Sequence, residues 1–373
     1  MHQPAITGTG LFTPPHVITN DELVAAFNAY SDQFNAANKA AIEAGTVAAV
    51  PQSSAEFIFA ASGIEQRFVY SKEGILDPNI MHPILPPRAM GDPCVMAEMA
   101  VDACLQALGK ACVSATEVDL VICAASNHER AYPAIAVEIQ EMLGTSGFAF
   151  DMNVACSSAT FGIQAAADMI RTGSAKKALV VNPELCSHHL EWRDRDCHFI
   201  FGDVATATLI ERAEDASCPR FDIQSTKCDT VFSNNIRNNN GFLRRSQYPD
   251  LSDQRDMQFM QNGRKVFKEV LPLVSKHISD HLASAGLSSE DLKRMWLHQA
   301  NKSMNDFIGK KVMGRTPTPD EQPNILQDYA NTSSAGSIIA FHKNSEDLVK
   351  DDTGVICSFG AGYSVGSIIV KRA

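Results

Sequence analysis

The sequence predicts a layered α/β protein with mainly parallel strand pairing, built from two similar halves. Three observations predict it. Strand-like and helix-like stretches alternate along the chain, the pattern of a sheet filled through crossover helices. Two segments recur at long range: Asp151 to Ile163 (DMNVACSSATFGI) is similar to Gln327 to Ile339 (QDYANTSSAGSII), and Cys197 to Glu211 to Cys357 to Val370. A repeat at this spacing marks duplication, not a short solenoid. Finally, 373 residues exceed the size at which one core stops growing.

Ala5 to Phe12 (AITGTGLF) reads as a strand running into Pro14-Pro15, and Thr19-Asn20-Asp21-Glu22-Leu23 has the signature of a helix start. The glycines here lack the third glycine and following helix of a dinucleotide fingerprint, which argues against a nicotinamide site. Ala26 to Ala60 is Ala-rich and predicts helix; Gly63 to Arg67 then leads into a short strand, Phe68 to Tyr70. Ser71 to Pro93 carries many Pro and Met residues and no period, so a long loop is expected. Ala97 to Gly109 is an amphipathic helix, Val118 to Ala125 (VDLVICAA) a buried strand of the parallel type, and Ala134 to Leu143 a helix after a polar loop. Phe148, Phe150, Met152 and Val154 alternate as in a half-buried strand. From Ser157 to Gly173 the spacing turns helical, with Ile163, Ala166, Ala167 and Ile170 on one face. Strands Ala178 to Asn182 and Phe199 to Glu211 follow, separated by the charged loop Glu191 to Asp196. In the second half Arg294 to Leu297 is the counterpart of Val118 to Ala125 and ends at His298-Gln299-Ala300-Asn301. The polar, Pro-containing link Glu211 to Arg220 divides the chain into halves 1–215 and 216–373.

Composition narrows the function classes. The chain is 45% hydrophobic and 20% charged, as soluble globular proteins are. No apolar run reaches the length of a membrane span and the first ten residues lack a signal-peptide core, so no membrane insertion is expected. Ten cysteines without paired-thiol or Cys/His metal spacing predict a reducing cytoplasm and no metal site. A net charge of −11 argues against a nucleic-acid partner.

The chemistry converges on three residues. Cys156 falls at the strand-to-helix junction, where free N–H groups and the helix dipole are expected to lower a thiol's pKa. Aligning the repeat through Ala155 and Ala330 puts Asn331 in the place of Cys156. His298 lies at the carboxyl end of a strand, where open α/β sheets bind ligands. Taken singly, these are a buried cysteine, a structural histidine and a helix cap. Taken with the internal symmetry, they are expected to share one pocket.

These residues also carry a resemblance. The chain is similar to the β-ketoacyl-acyl carrier protein synthase III family, condensing enzymes of the thiolase superfamily. The similarity runs through Ile6 to Gly10, Gly63 to Arg67, Tyr132-Pro133 to Gln140, the Cys156 stretch, Arg171-Thr172-Gly173, Phe201-Gly202-Asp203, Phe267-Lys268, His298 to Asn301, Asn331-Thr332-Ser333 and Phe359 to Gly366. It implies the five-layer αβαβα thiolase fold and a homodimer. It further implies that Cys156 takes an acyl group from acyl-CoA as a thioester, with the N–H groups of Cys156 and Ala361 as oxyanion hole. His298 and Asn331 would stabilise the enolate formed when malonyl-acyl carrier protein loses carbon dioxide. No cofactor is implied beyond the CoA and phosphopantetheine thioesters.

Other family positions fall on Asn301 for the pantetheine arm, Phe201 beside the sulfur, Gly263 and Phe267 in the substrate channel, and Arg195 near the CoA nucleotide. Tyr132 matches an aromatic that crosses the dimer interface to line the partner's acyl pocket. Lys268, Lys310 and Lys311 match the basic surface that docks an acidic carrier protein.

Departures are visible. The Trp and Arg that grip the adenine correspond to Phe57 and Ala61, and Ala361 replaces the middle glycine of a triple-glycine turn. The segments 28–54 and 71–93 are longer than in typical members; as added walls they would suit a medium-chain acyl primer. Polyketide and quinolone-type synthases share the Cys-His-Asn set, so that set alone does not separate them. Claisen enzymes joining two acyl-CoAs carry a Glu immediately before the proline, where Tyr132 stands here with Glu129 three residues earlier, which disfavours them. A catalytically silent acyl-binding subunit is disfavoured by retention of Cys156, His298 and Asn331 together.

Overall fold

A computed structural model describes residues 1–239 and 254–373 of the chain. The first half runs β1 (Pro4–Phe12), β2 (His16–Thr19), α1 (Asn20–Ala37), α2 (Lys39–Glu43), α3 (Ala55–Ser62), β3 (Gln66–Val69), α4 (Val95–Ala111), β4 (Leu120–Ala124), α5 (Ile135–Leu143), β5 (Phe148–Met152), α6 (Ser158–Thr172), β6 (Lys177–Glu184) and β7 (Val204–Arg212). Among the described residues the second half runs β8 (Phe221–Thr230), β9 (Ile236–Arg237), β10 (Met260–Gln261), α7 (Gly263–Ser284), β11 (Leu292–Leu297), α8 (Lys302–Met313), α9 (Leu326–Tyr329), α10 (Gly336–Lys343), β12 (Thr353–Gly360) and β13 (Ser364–Arg372).

Nine strands form a continuous ladder in the order β11-β12-β13-β8-β1-β7-β6-β4-β5. Its two parts meet only where Ala5 and Ile6 of β1 pair with Asp222 and Phe221 of β8. Outward from that joint, β1-β7-β6-β4 and β8-β13-β12-β11 succeed one another in the same order. Pairing is mixed, which corrects the expectation of mainly parallel strands. β4 lies parallel to β5 and β6, and β11 to β12, but β7 and β13 run antiparallel to both of their neighbours. Those strands follow β6 and β12 without an intervening α-helix, and only a parallel connection needs a crossover.

The layers follow from the pattern of buried side chains. In β4, Leu120, Ile122 and Ala124 point inward to meet Ile163, Ala166 and Ile170 of α6 and Ile338 and Phe341 of α10. Alternate residues Val121 and Cys123 face the other way, against α4 and α5. α7 and α8 cover the outer face of β11–β13 through Val274, Ile278, Ile308 and Val312. α6 touches strands of both halves, as does α10, so these two helices form the middle layer of an αβαβα sandwich. No helix among the described residues is long and apolar enough to cross a membrane.

The Ala-rich stretch 26–60 is three helices, not one. Asn38 closes α1, and Ser54 opens α3 by accepting a hydrogen bond from the Phe57 N–H. The loop 71–93 has no regular element, but Ile75 and Met81 are buried with Trp192, Leu190 and Phe201. The strand expected from Phe199 begins only at Val204, because Phe201 and Asn331 form an isolated bridge and Gly202 N–H donates to the Asn331 carbonyl.

Candidate active site

Cys156 occupies a tight helical turn, Ala155–Ser157, that leads into α6. Its counterpart is the turn Ser333–Ala335 before α10. Asn153 Oδ1 accepts from Ala155 N at 2.9 Å, and Asn331 Oδ1 accepts from Ser333 N at 2.9 Å. Ala155 and Ser333 also share a positive φ, 48° and 49°. The repeat therefore matches Asn331 with Asn153 and Cys156 with Ser334. The register through Ala155 and Ala330 was three residues off, because the run of small residues masks the shift. The turns still face each other: the Ser333 hydroxyl donates to Cys156 Sγ at 3.3 Å.

Burial pushes the Cys156 thiol up to about 11, and the Glu184 carboxylate adds to the rise; the Ser333 hydroxyl and the N–H groups of Cys156 and Ala361 pull it down. The expectation of a lowered thiol is thus overturned: the donors are there, but desolvation outweighs them. Gly360, at the end of β12, makes room for the sulfur. A Cβ at that position would lie 2.6 Å from Cys156 Cβ and 3.1 Å from Sγ. Gly360→Ala should therefore slow Cys156 acylation by about 100-fold, the effect of a displacement near 1 Å. Stopped-flow acylation checks this, with a thermal melt to show that the variant stays folded.

His298 follows β11 and is buried, its N–H donating to the Cys357 carbonyl at 2.7 Å and its ring edge-on to Phe359 at 5.1 Å. Burial holds the imidazole down to about 3, against an opposing main-chain bond at Ser333, so the ring is neutral at ordinary pH. Asn331 is held by its main chain to Ile200 and Gly202; with Oδ1 committed to Ser333, its Nδ2 is the donor left for a ligand.

Two cavities meet at Cys156. One, of about 700 Å³, is lined by Cys156, His298, Asn331, Asn301 and Phe267, with Phe57 and Ala61 among its other walls. The other, of about 640 Å³, is lined by Cys156, Ala361, Ser333, Phe259, Met257 and His189. Phe201 lines both.

The remaining candidates are placed as follows. Gly263 opens α7 at the first cavity. Asn301 lines that cavity as the N-cap of α8, its Nδ2 donating to the Ala61 carbonyl at 2.6 Å. Arg195 stacks on Phe57 at 3.9 Å and donates to the Gln52 carbonyl, so an arginine and an aromatic remain paired where Trp and Arg are absent. Tyr132 is 85% exposed and lines neither cavity. Lys268, Lys310 and Lys311 are exposed on α7 and α8, which pack together. The segments 28–54 and 71–93 line neither cavity, which corrects their reading as pocket walls. They stand behind the wall instead: the Gln52 carbonyl receives Arg195, and the Ile80 carbonyl receives Arg193 at 2.8 Å.

Sequence reasoning did not single out Ser333, Gly360, Phe259 or Glu184. Ser333 and Gly360 do lie within stretches already marked, beside Asn331 and Ala361.

Comparisons with known proteins identify the family. Residues 150–229 match the 3-oxoacyl-[acyl-carrier-protein (ACP)] synthase III family, and residues 282–372 its C-terminal part. A Pseudomonas aeruginosa protein named beta-ketodecanoyl-[acyl-carrier-protein] synthase is 53% identical over 348 residues, covering 93% of this chain and 99% of its own. A beta-ketoacyl-[acyl-carrier-protein] synthase III from Clostridium perfringens is 28% identical over the whole of both chains, 379 aligned residues. The crystal structure of 3-oxoacyl-[acyl-carrier-protein] synthase III from Aquifex aeolicus superposes with a TM-score of 0.77 over 99% of each chain at 24% identity, a likeness of fold. With a relative 53% identical along nearly all of its length, the chain belongs to the 3-oxoacyl-[acyl-carrier-protein] synthase III family of acyltransferase-class condensing enzymes.

Proposed function

We propose that the protein extends a medium-chain acyl-CoA by decarboxylative condensation with malonyl-acyl carrier protein, through an acyl group carried on Cys156. The observation that carries this reading is one sulfur at the meeting point of two cavities, with donors on both sides. In the first step Cys156 Sγ gives up its proton and attacks the acyl-CoA carbonyl, the N–H groups of Cys156 and Ala361 hold the oxyanion, and CoA leaves as the thiol, carrying that proton away. In the second, malonyl thioester enters, its carboxylate departs as carbon dioxide, and the enolate oxygen is held by the His298 ring N–H and Asn331 Nδ2. A neutral imidazole suits this role, since it donates a hydrogen bond without protonating the carbon. The enolate carbon then attacks the acyl thioester and expels Cys156, giving a β-ketoacyl product.

The primer length rests on the Pseudomonas relative, whose name gives a ten-carbon β-ketoacyl product; a two-carbon extension reaches it from eight carbons. The cavity of about 640 Å³ beyond the sulfur is the site for that chain. The cavity of about 700 Å³ admits the pantetheine arm past Asn301, Gly263 and Phe267, with Arg195 and Phe57 at the nucleotide end. Lys268, Lys310 and Lys311 dock the carrier protein. The halves 1–215 and 216–373 form one protomer of a cytoplasmic homodimer in which Tyr132 reaches the partner's acyl pocket.

Intact-protein mass after incubation with acyl-CoAs of graded length tests this. The expected result is one acyl group per chain, formed fastest near eight carbons and discharged as β-ketoacyl product by malonyl-acyl carrier protein. Fastest acylation by acetyl-CoA would overturn the primer assignment, and an adduct that malonyl-acyl carrier protein leaves in place would overturn the condensation.

A further inference from the structure

Glu184 ends β6, is 1% exposed, and takes no part in the steps above. Four N–H and O–H donors converge on its carboxylate, two from each half of the chain, beside the thiol of Cys186. Ser126, just after β4, supplies its N–H to Oε1 at 3.0 Å and its hydroxyl to Oε2 at 2.5 Å. Ser334, in the turn after Asn331, supplies its N–H to Oε1 at 3.2 Å and its hydroxyl to the same oxygen.

The internal symmetry sharpens the picture. Glu184 ends β6 as Gly360 ends β12, and the two pair with the first residues of β7 and β13, so Glu184 corresponds to Gly360; the repeat of Cys197–Glu211 in Cys357–Val370, which sets Gly202 there, is thus two residues out of register. Gly360 clears space for Cys156; Glu184 fills the equivalent space and grips Ser334, the counterpart of Cys156. The gripped turn carries Asn331 and Ser333, and its main chain also meets His298.

We propose that Glu184 is a positioning residue: by tying the Ser334 turn to Ser126, it holds Asn331 against His298 in the geometry that decarboxylation requires. This rests on the function proposed above. The two half-reactions depend on Glu184 differently. The N–H groups of Cys156 and Ala361 need nothing from it, and its charge raises the Cys156 thiol. Removing that charge lowers the Cys156 thiol while a looser Ser333 hydroxyl raises it, so the two effects on acylation oppose each other, whereas the loosened turn slows decarboxylation outright.

The pH dependence follows from the same contacts. Burial pushes the Glu184 carboxyl up to about 7, against the lowering by the Ser126 and Ser334 donors. The titratable groups around it are Cys186, whose thiol donates to Oε2 at 3.7 Å, with Cys123 on β4 and Cys156 on the facing turn; Asp203 acts on Cys186 in turn. Above pH 7 the ionised carboxylate accepts from all four donors. Below it, the added proton turns one oxygen into a donor and a serine loses its acceptor, so decarboxylation declines as pH falls.

The test separates the half-reactions. Carbon dioxide release from malonyl-acyl carrier protein is followed in a Cys156→Ala background with Glu184 or Gln at position 184, and acylation by intact mass in chains that keep Cys156. Glu184→Gln is expected to slow carbon dioxide release at least about tenfold, to flatten its pH profile around neutrality, and to leave acylation within about threefold. Ser334→Ala, which keeps the carboxylate and its Ser126 bonds, gives the same split with smaller amplitude, and decides the matter if Glu184→Gln does not fold. Equal release with Glu or Gln, or a fall of both half-reactions by one factor, overturns the assignment. Absence of release in the Cys156→Ala chain with Glu184 intact overturns instead the function on which it rests.

Discussion

Cys156→Ala forms no acyl adduct with any acyl-CoA and loses condensation by more than about 1,000-fold, since the covalent route is removed and only binding remains. The substitution takes one sulfur from a site whose donors include the main-chain N–H groups of Cys156 and Ala361, so the fold and both cavities are kept. The wild-type thiol, held up to about 11, predicts its own pH signature. The thiolate fraction is about 10⁻⁴ at pH 7, so chemistry-limited acylation climbs about tenfold per pH unit between roughly 7 and 9. Intact mass and rapid-quench acylation check both statements. A rate flat across that range means that a thiolate is already stored in the resting site.

His298→Ala lowers decarboxylation of malonyl-acyl carrier protein by about 100- to 1,000-fold, the effect of deleting one oxyanion donor. Acylation of Cys156 survives, because its oxyanion is held elsewhere. The ring titrates near 3, so it contributes no inflection across neutral pH: it is uncharged above about pH 4 and gains a proton only below that. In a Glu184→Gln background, decarboxylation is therefore flat between about pH 5 and 8. A decline through the ordinary histidine range near 6.5 would mean that an imidazolium is the working form. Measured carbon dioxide release decides between them.

Much of this site was legible because its three side chains sit at junctions, and junctions leave marks in sequence. Cys156 follows a two-residue alternation and precedes a helical period; His298 closes an apolar run; Asn331 opens a serine-rich cap. What escaped is what depends on neighbours from elsewhere in the chain. The run of small residues around Asn331 admits two registers, and only the shared turn geometry of Asn153 and Asn331 selects one. Glu184 ends a strand that reads as apolar, and its four donors come from residues 58 and 150 positions away. The rise of the thiol is not legible either, because sequence shows the helix end but not the desolvation around it. For the same reason, residues 28–54 and 71–93 read as pocket walls by composition while their contacts lie one layer further out.

The two inner helices have a consequence for how the protein holds together. α6 and α10 pack against strands of both halves, and Ile163, Ile338 and Phe341 belong to one apolar cluster with β4, β12 and β13. Neither half thus owns a closed interior: separated, each would leave the inner face of its sheet in water. Each copy of the motif keeps an outer apolar cluster of its own, but the inner one is common to both. Cys156, His298 and Asn331, drawn from both copies, line one cavity only when the whole molecule is folded.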